Sequence, residues 1–567
     1  MCGITGIVGT SANSGLIGVM LAAQQHRGPD FTGSHNIENE ISLGHNRLSI
    51  IDLSAEANQP FISGCGNFIM VFNGEIYNYI ELRELLPEYD FKTNSDTEVL
   101  MAAFIKWGSA CLDKLNGMFS FAIWDKEAKK LFAARDRFGV KPFYYSHFND
   151  SFFFSSEIKT LHAAGIPAIP NKAVWASYFA YGSYGDTDES FWTGVRQLPG
   201  GHFLSYDNGA LQVEKWYDFE KAIESQPRNL SFEQAEKRYA MLLKDSIRLR
   251  FRADVPVGFN ISGGLDSSVL LAMVQLEQGN DNIRAYTFYT GDSRYDELPW
   301  VEGMIALTGN PLVKEKLSAS EVPALADKIH YFQDEPYGGI PTLAYSKLFE
   351  KARADGTIVL LDGQGMDEQW AGYDYYTKDN DHTIQATDNP FRQHMLADDF
   401  LQMAKKPNYP QPFPDEVQNK QYRDLFYTKL PRALRFNDRV SMAYGTELRE
   451  PFLDYRLVEL AFALPLEYKI KDGISKYMLR EIASAYLDAN LVFAPKRPLQ
   501  TPQREWLAED LISWVSDNFK DIENSEFATW FDVPQLQNEL QLYRDGHIQS
   551  AFHIWQCLSL SGLLIKK

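Results

Sequence analysis

Val257-Gly-Phe-Asn-Ile-Ser-Gly-Gly-Leu-Asp-Ser-Ser268 reads as a short apolar strand, a glycine-rich loop and the start of a helix, because an apolar helical run follows as far as Gly279. Glycines let backbone N–H groups approach phosphate oxygens, serine hydroxyls add donors, and a helix N-terminus favours negative charge. The loop does not have the GxxxxGK[ST] form, and no Gly-Lys pair occurs anywhere in the chain, which argues against cleavage at a γ-phosphate. Thr357-Ile-Val-Leu-Leu361 repeats the strand pattern, again followed by acid and glycine. Strands of this kind alternating with helical stretches are α/β grammar. Upstream, Ser231-Phe-Glu-Gln234 has the form of a capping box. It opens a helix whose buried face is Ala235, Tyr239, Leu242, Leu243 and Ile247. A domain boundary therefore falls just before it. Helical patterns dominate after Leu430, and the proline-rich piece Lys405 to Pro414 reads as a surface insertion.

The first third of the chain has a different character, with short strands and tight turns. Phe119 to Trp124 and Leu131 to Ala134 flank a polar turn, and His202 to Tyr206 and Leu211 to Val213 flank Asp207-Asn208-Gly209, residue types that tolerate a tight turn. With 567 residues the chain has room for two to four domains. Its formal charge of −20 works against polyanionic partners, so no nucleic-acid binding is expected. No apolar run reaches the roughly 18–20 residues of a membrane span, and no basic, then apolar, signal segment opens the chain. Four scattered cysteines fit a reducing compartment, and the histidines lack zinc-ligand spacing. A soluble, cytoplasmic protein without a membrane partner is the expectation.

Cys2 lies in Met1-Cys-Gly-Ile-Thr-Gly6. Removing one methionine makes it the N-terminus, so that a thiol nucleophile and an amine base share one residue. Four motifs accompany it: His26-Arg-Gly-Pro-Asp30, Arg47-Leu-Ser-Ile50, Phe72-Asn-Gly-Glu-Ile-Tyr77 and Ser95-Asp-Thr-Glu98. Attack on a carboxamide charges its oxygen, and an Asn amide with a Gly N–H supplies two donors for it. A zwitterionic amino-acid head calls for a guanidinium and a carboxylate.

Together these residues resemble the N-terminal-nucleophile glutaminase domain of class II glutamine amidotransferases, most closely that of glutamine-hydrolysing asparagine synthetases. The resemblance implies Cys2 as nucleophile, Arg47 on the glutamine α-carboxylate, Asp96 and Glu75 at its α-amino end, and Asn73 with Gly74 as the oxyanion hole. SGGLDSS likewise resembles the loop of ATP pyrophosphatases, which cut between the α- and β-phosphates to form an acyl-adenylate. By the same resemblance Ile261, Ser262, Gly263, Gly264, Asp266, Ser267, Ser268, Thr290, Asp362 and Gly363 contact ATP. Asp266 and Asp367 hold Mg²⁺, and Lys476 offsets phosphate charge. Asp438 to Met442 and Arg449-Glu-Pro-Phe-Leu-Asp454 are also typical of the family.

The implied fold is an αββα sandwich over residues 2–215, then a doubly wound α/β ATP-pyrophosphatase domain with a helical C-terminal part over 231–530, and a helical tail over 531–567. A homodimer is implied by the family alone. Two departures bear on the acceptor, of which one is that Asp334-Glu-Pro-Tyr-Gly-Gly-Ile-Pro341 lacks the polar residues commonly following Asp-Glu-Pro in the family. Where the family usually carries Ser-Gly-Glu-Gly-x-Asp-Glu, this chain has Asp362-Gly-Gln-Gly-Met-Asp-Glu368. Gln364 can donate and accept hydrogen bonds but cannot take a proton at neutral pH. Aspartate remains the leading acceptor, with a sugar (uronic) acid of surface polysaccharide as the alternative. A non-catalytic regulatory relative would have eroded sites, and apart from Gln364 no such erosion is seen.

Overall fold

The computed structural model describes every residue except 280–281, 378–389, 489–491, 494–500, 549 and 567. The N-terminal third holds two six-stranded sheets of antiparallel pairs. Strand Gly3–Gly9, which follows directly on Cys2, lies inside the first sheet between Ile41–Arg47 and Ser151–Ser155. Strand Phe68–Ile76 lies in the second, paired residue for residue with Gly117–Asp125. The sheets pack face to face through Ile4, Leu43, Val71, Ala122, Trp124 and Phe154. Helices Ser14–Ala23 and Ile158–Ala163 cover the outer face of the first sheet, and Asp96–Trp107 covers that of the second. Strands Gly3–Gly9, Ile41–Arg47, Phe68–Ile76 and Gly117–Asp125 are buried along nearly their whole length, and cover on both faces of each sheet is what fixes four layers.

Both expected hairpins form. Gly117–Asp125 pairs with Lys130–Arg135, and His202–Asp207 pairs with Ala210–Lys215 through a turn with positive φ at Asn208 and Gly209. The capping box at Ser231 is present, with Gln234 returning the hydrogen bond, and Ala235, Tyr239, Leu243 and Ile247 are fully buried.

The C-terminal part is built on a five-stranded parallel sheet. Val257–Asn260 is central, with Ala285–Tyr289 and Leu312–Lys316 on one side, and Val359–Leu361 and Glu447–Arg449 on the other. The chain order reverses direction at the central strand. Ligands of open parallel sheets bind beyond the carboxyl ends of the strands at such a reversal, and the glycine-rich loop begins there. Helices Val533–Arg544 and Phe552–Leu560 belong to the same apolar core as Trp175 and Phe179 of the N-terminal part.

Charged contacts also join the two parts. Arg27, fully buried, donates to Glu157 at 3.0 Å and to Asp438 at 2.8 Å, and Arg439 pairs with Glu157 at 3.1 Å. Among the described residues no helix is long and apolar enough to cross a membrane.

Candidate active sites

Cys2 has its backbone N–H on the side-chain oxygen of Asn73 at 2.9 Å, and Arg27 Nε donates to its carbonyl at 3.0 Å. The residue is thus gripped from both ends. Its thiol is buried 3.9 Å from the Leu48 carbonyl. Burial pushes the thiol up, and the chain's N-terminal ammonium works in the opposite direction. The Asn73 carboxamide spends its oxygen on Cys2, while its Nδ2, fully buried, has no partner. An orphaned buried donor is costly, and this one is oriented by the bond its own oxygen makes to the nucleophile's backbone. Gly74 follows in the same strand at φ +153°, and a Cβ there would lie 2.1 Å from the Met118 carbonyl oxygen. No other residue fits that close pairing. Asn73-Gly74 is therefore strand interior and not a hairpin turn.

Cys2, Arg47, Gly74, Glu75 and Asp96 line one cleft enclosing about 340 Å³ of space open to solvent. Arg47 is fixed by the carbonyls of Ser54 (2.8 Å) and Asp52 and by Asn58 (2.7 Å). Asp96 opens a helix, capped by Ser95, and accepts from the Ile76 N–H at 2.9 Å. Burial raises its carboxyl to about 6, against that hydrogen bond. Glu75 is also raised, by burial and by Glu447 and Asp96, with Arg449 at 3.6 Å opposing. The cleft thus offers a cation and two carboxyls around one thiol, with the unpartnered Asn73 amide bonded to the backbone of the same cysteine.

The second group lies at the carboxyl ends of the parallel strands. Ile261 continues the sheet by donating to Tyr286, and Ser262 to Gly264 lead into helix Leu265–Gln278. The loop is held by Ser267 Oγ, which donates to the Ser262 carbonyl at 2.6 Å, and by Ser268 Oγ, which donates to the Gly264 carbonyl at 2.7 Å. Gly263 N–H donates to the Glu297 carboxylate at 3.1 Å, so an anionic oxygen is already accepted at the loop. Lys476 Nζ bonds both oxygens of Asp266, at 2.6 and 2.7 Å, and Asp367 at 2.7 Å. Burial disfavours the ammonium, yet the two aspartates raise it to about 12. Lys476 is held in the left-handed region, φ +57°, a strained conformation for a lysine. Gly372 gives it room, since a Cβ there would meet Asp367 Oδ1 at 2.0 Å and Lys476 Cε at 2.3 Å.

Asp362 and Gly363 follow the strand Val359–Leu361. Asp362 accepts from Asn260 Nδ2 at 2.8 Å, and burial raises its carboxyl. Gly363 backs onto Asp266. Thr290 ends the neighbouring strand, with its N–H and hydroxyl both on Asp296. Every nucleotide-loop residue expected from the sequence therefore lies at one sheet end. Three residues that sequence reasoning did not single out lie between the two groups. Glu447 accepts from the N-terminal ammonium of Met1 at 2.6 Å with both side chains wholly buried; Arg449 donates to Glu447 at 2.5 Å; Glu450 follows. The only signal for them was their place in or beside the Arg449 to Asp454 motif.

Comparison with known proteins agrees with both halves. A model of the glutamine amidotransferase domain matches residues 1–217, and a model described as asparagine synthase matches residues 238–565. The first part of the molecule thus carries a glutamine amidotransferase domain. By its second, which covers more than half of the chain, it belongs to the asparagine synthase family. Asparagine synthetase [glutamine-hydrolyzing] 3 of Bacillus subtilis is 28% identical over 95% of this chain and 93% of its own. A putative asparagine synthetase [glutamine-hydrolyzing] 2 of Methanocaldococcus jannaschii is 34% identical over 66% and 76%. Amidase chry2 of Gibberella zeae is 26% identical over 89% and 88%.

Proposed function

We propose that this enzyme takes ammonia from glutamine at Cys2 and uses it to amidate a carboxylate that ATP has activated as an acyl-adenylate. The supporting observation is the presence in one chain of a Cys2 cleft, with the unpartnered Asn73 amide bonded to the Cys2 backbone, and of an Asp266–Lys476–Asp367 cluster at the end of the parallel sheet. On this reading residues 2–215 form the glutaminase unit, 231–530 the synthetase unit, and 531–567 its helical tail.

Removal of Met1 frees the Cys2 amine, which accepts the thiol proton as the sulfur attacks the glutamine carboxamide. Arg47 takes the α-carboxylate, and Asp96, with Glu75, takes the α-ammonium. Negative charge developing on the carboxamide oxygen is met by Asn73 Nδ2 and the Gly74 N–H. Ammonia leaves, and water releases glutamate from the thioester. At the sheet end, Ser262 to Ser268 cradle the leaving pyrophosphate and Lys476 neutralises it, while Thr290, Asp362 and Gly363 border the rest of the nucleotide.

Asp266 and Asp367 suit Mg²⁺, because oxygens of both converge on a single cation, the Lys476 ammonium. No group of three His, Cys, Asp or Glu ligands occurs among the described residues, which fits an ion that takes its remaining oxygens from phosphates and water. When bound, it would spread the charge of the leaving pyrophosphate.

Aspartate is the leading acceptor, making the product asparagine. Gln364, neutral where the family usually carries a glutamate, favours the second acceptor class, a larger uronic-type acid. Glutamine-dependent release of AMP and pyrophosphate, measured over a panel of carboxylic acids, tests the reading. Equal amounts of AMP and amide with one acid support it, and ADP formation overturns it.

A further inference from the structure

Amide formation needs a proton acceptor. Ammonia attacking the acyl carbon becomes a charged nitrogen that must lose a proton as the bond to AMP breaks. Gln364 cannot serve, and Asp362 is held by the Asn260 amide. One carboxyl nearby has an uncommitted oxygen. Glu450 is 4% exposed, and its Oε2 is buried with no hydrogen-bond partner. Its carboxylate faces the backbone N–H of Gln364.

Its position is set by the sheet. Leu361 pairs with Arg449, and the Asp362 N–H donates to the Arg449 carbonyl at 2.9 Å, so Glu450 emerges beside the Asp362-Gly-Gln364 loop. That loop backs onto Asp266 through Gly363. Three residues back along the strand, Glu447 holds the N-terminal ammonium next to Cys2, which places Glu450 about 10 Å further on at ~3.3 Å per residue. The Lys141 ammonium, buried and donating to the Leu448 carbonyl at 3.4 Å, acts electrostatically on both glutamates. The groups facing Glu450 are thus Asp362, Lys141 and, further off, Arg250.

We infer that Glu450 is the general base of the amidation step, standing on the route from Cys2 to the nucleotide loop and doing the work that a neutral Gln364 cannot. Resting on the amidation reading above, the step is balanced. Ammonia's lone pair forms the C–N bond, one N–H proton passes to Glu450 Oε2, the acyl–oxygen bond to AMP breaks with its electrons on the phosphate, and Glu450 then returns the proton to solvent.

The test compares three assays on the full chain with L-aspartate, or with UDP-glucuronate if that is the better acceptor: acceptor-dependent ATP–pyrophosphate exchange, amide formation from glutamine and from ammonium, and glutamine hydrolysis. Glu450→Gln is expected to lose on the order of 10²–10³ in amide formation from either nitrogen source, with exchange and glutaminase within about threefold of wild type. Adding Gln364→Glu to that variant should recover at least about tenfold by returning a carboxylate to the loop. Glu450→Asp, which keeps a carboxyl one methylene shorter, should lose about tenfold in amide formation alone. Amide formation near wild type in Glu450→Gln, a parallel fall in exchange, or no recovery in the double variant would each overturn the assignment. Release of ADP by the wild type would instead end the amidation reading itself.

Discussion

The two sites of this molecule are prepared in opposite ways. Around Cys2 the recognition groups are already held by the protein's own backbone and amides: Arg47 by carbonyls, Asp96 by the Ile76 N–H, and Asn73 by Cys2, with one donor left free. At the glycine-rich loop, charge is satisfied by charge. Lys476 spans Asp266 and Asp367, and Glu297 occupies the Gly263 N–H. The first arrangement suits a small amide whose charge changes only in the transition state, where fixed donors act without reorganising. On the proposed reading the second must exchange internal ion pairs for a polyanion and its cation, so that preorganisation would belong to the nitrogen donor and rearrangement to the nucleotide.

The contrast can be broken at several points. Cys2→Ala should abolish glutamine hydrolysis, a loss on the order of 10³ or more, while amide formation from added ammonium stays within about twofold because the second site needs only the nitrogen. Mass spectrometry of active protein should show that Met1 has been removed. Asn73→Ala should lower kcat for glutamine by roughly 10²–10³ with a small change in KM, since the donor acts on charge that develops only during reaction. Asp266→Asn or Asp367→Asn should cut AMP formation by about 10²-fold and leave glutaminase intact, and chelation by EDTA should reproduce that split.

The smallest effect concerns pH. The Asp96 carboxyl lies at about 6 in the fold, raised from 3.8 mainly by burial. A folded value above the unfolded one means that ionising Asp96 costs stability: nothing below pH 3.8, increasingly through 3.8 to 6, and on the order of 3 kcal/mol above 6. Asp96→Asn should therefore raise the melting temperature at pH 8 and leave it nearly unchanged at pH 4. The KM for glutamine should rise about tenfold per pH unit below 6, as the partner of its ammonium is protonated.

The same contrast explains what was legible in the sequence. Local rules sufficed where contacts are local: the Asp207-Asn208-Gly209 turn, the Ser231 capping box and the strand–loop–helix at Ser262 all form as read. Cys2, Arg47, Gly74 and Asp96 come together in one cleft, with Asn73 bonded to Cys2, and they were legible because the motifs around them are short and chemically distinctive. The residues between the sites escaped notice for a physical reason. Glu447 meets the N-terminus across 446 positions and Arg27 meets Asp438 across 411, and no periodicity or spacing encodes such partners. Glu450 looks like one more surface acid in sequence, and only the pairing of Leu361 with Arg449 turns it inward. Asn73-Gly74 has the residue types of a tight turn, yet it lies inside a strand, because the uninterrupted register with Gly117–Asp125 is a long-range property.

The most direct measurement follows nitrogen. The full-length enzyme would be given [amide-¹⁵N]glutamine, ATP, magnesium and the acceptor acid in excess unlabelled ammonium, and the amide product and nucleotides analysed together. The expected result is product carrying mainly ¹⁵N, with AMP and pyrophosphate formed in equal amounts, and loss of the label but not of the product in Cys2→Ala. Unlabelled amide from the wild type, or ADP and phosphate in place of AMP and pyrophosphate, would contradict it.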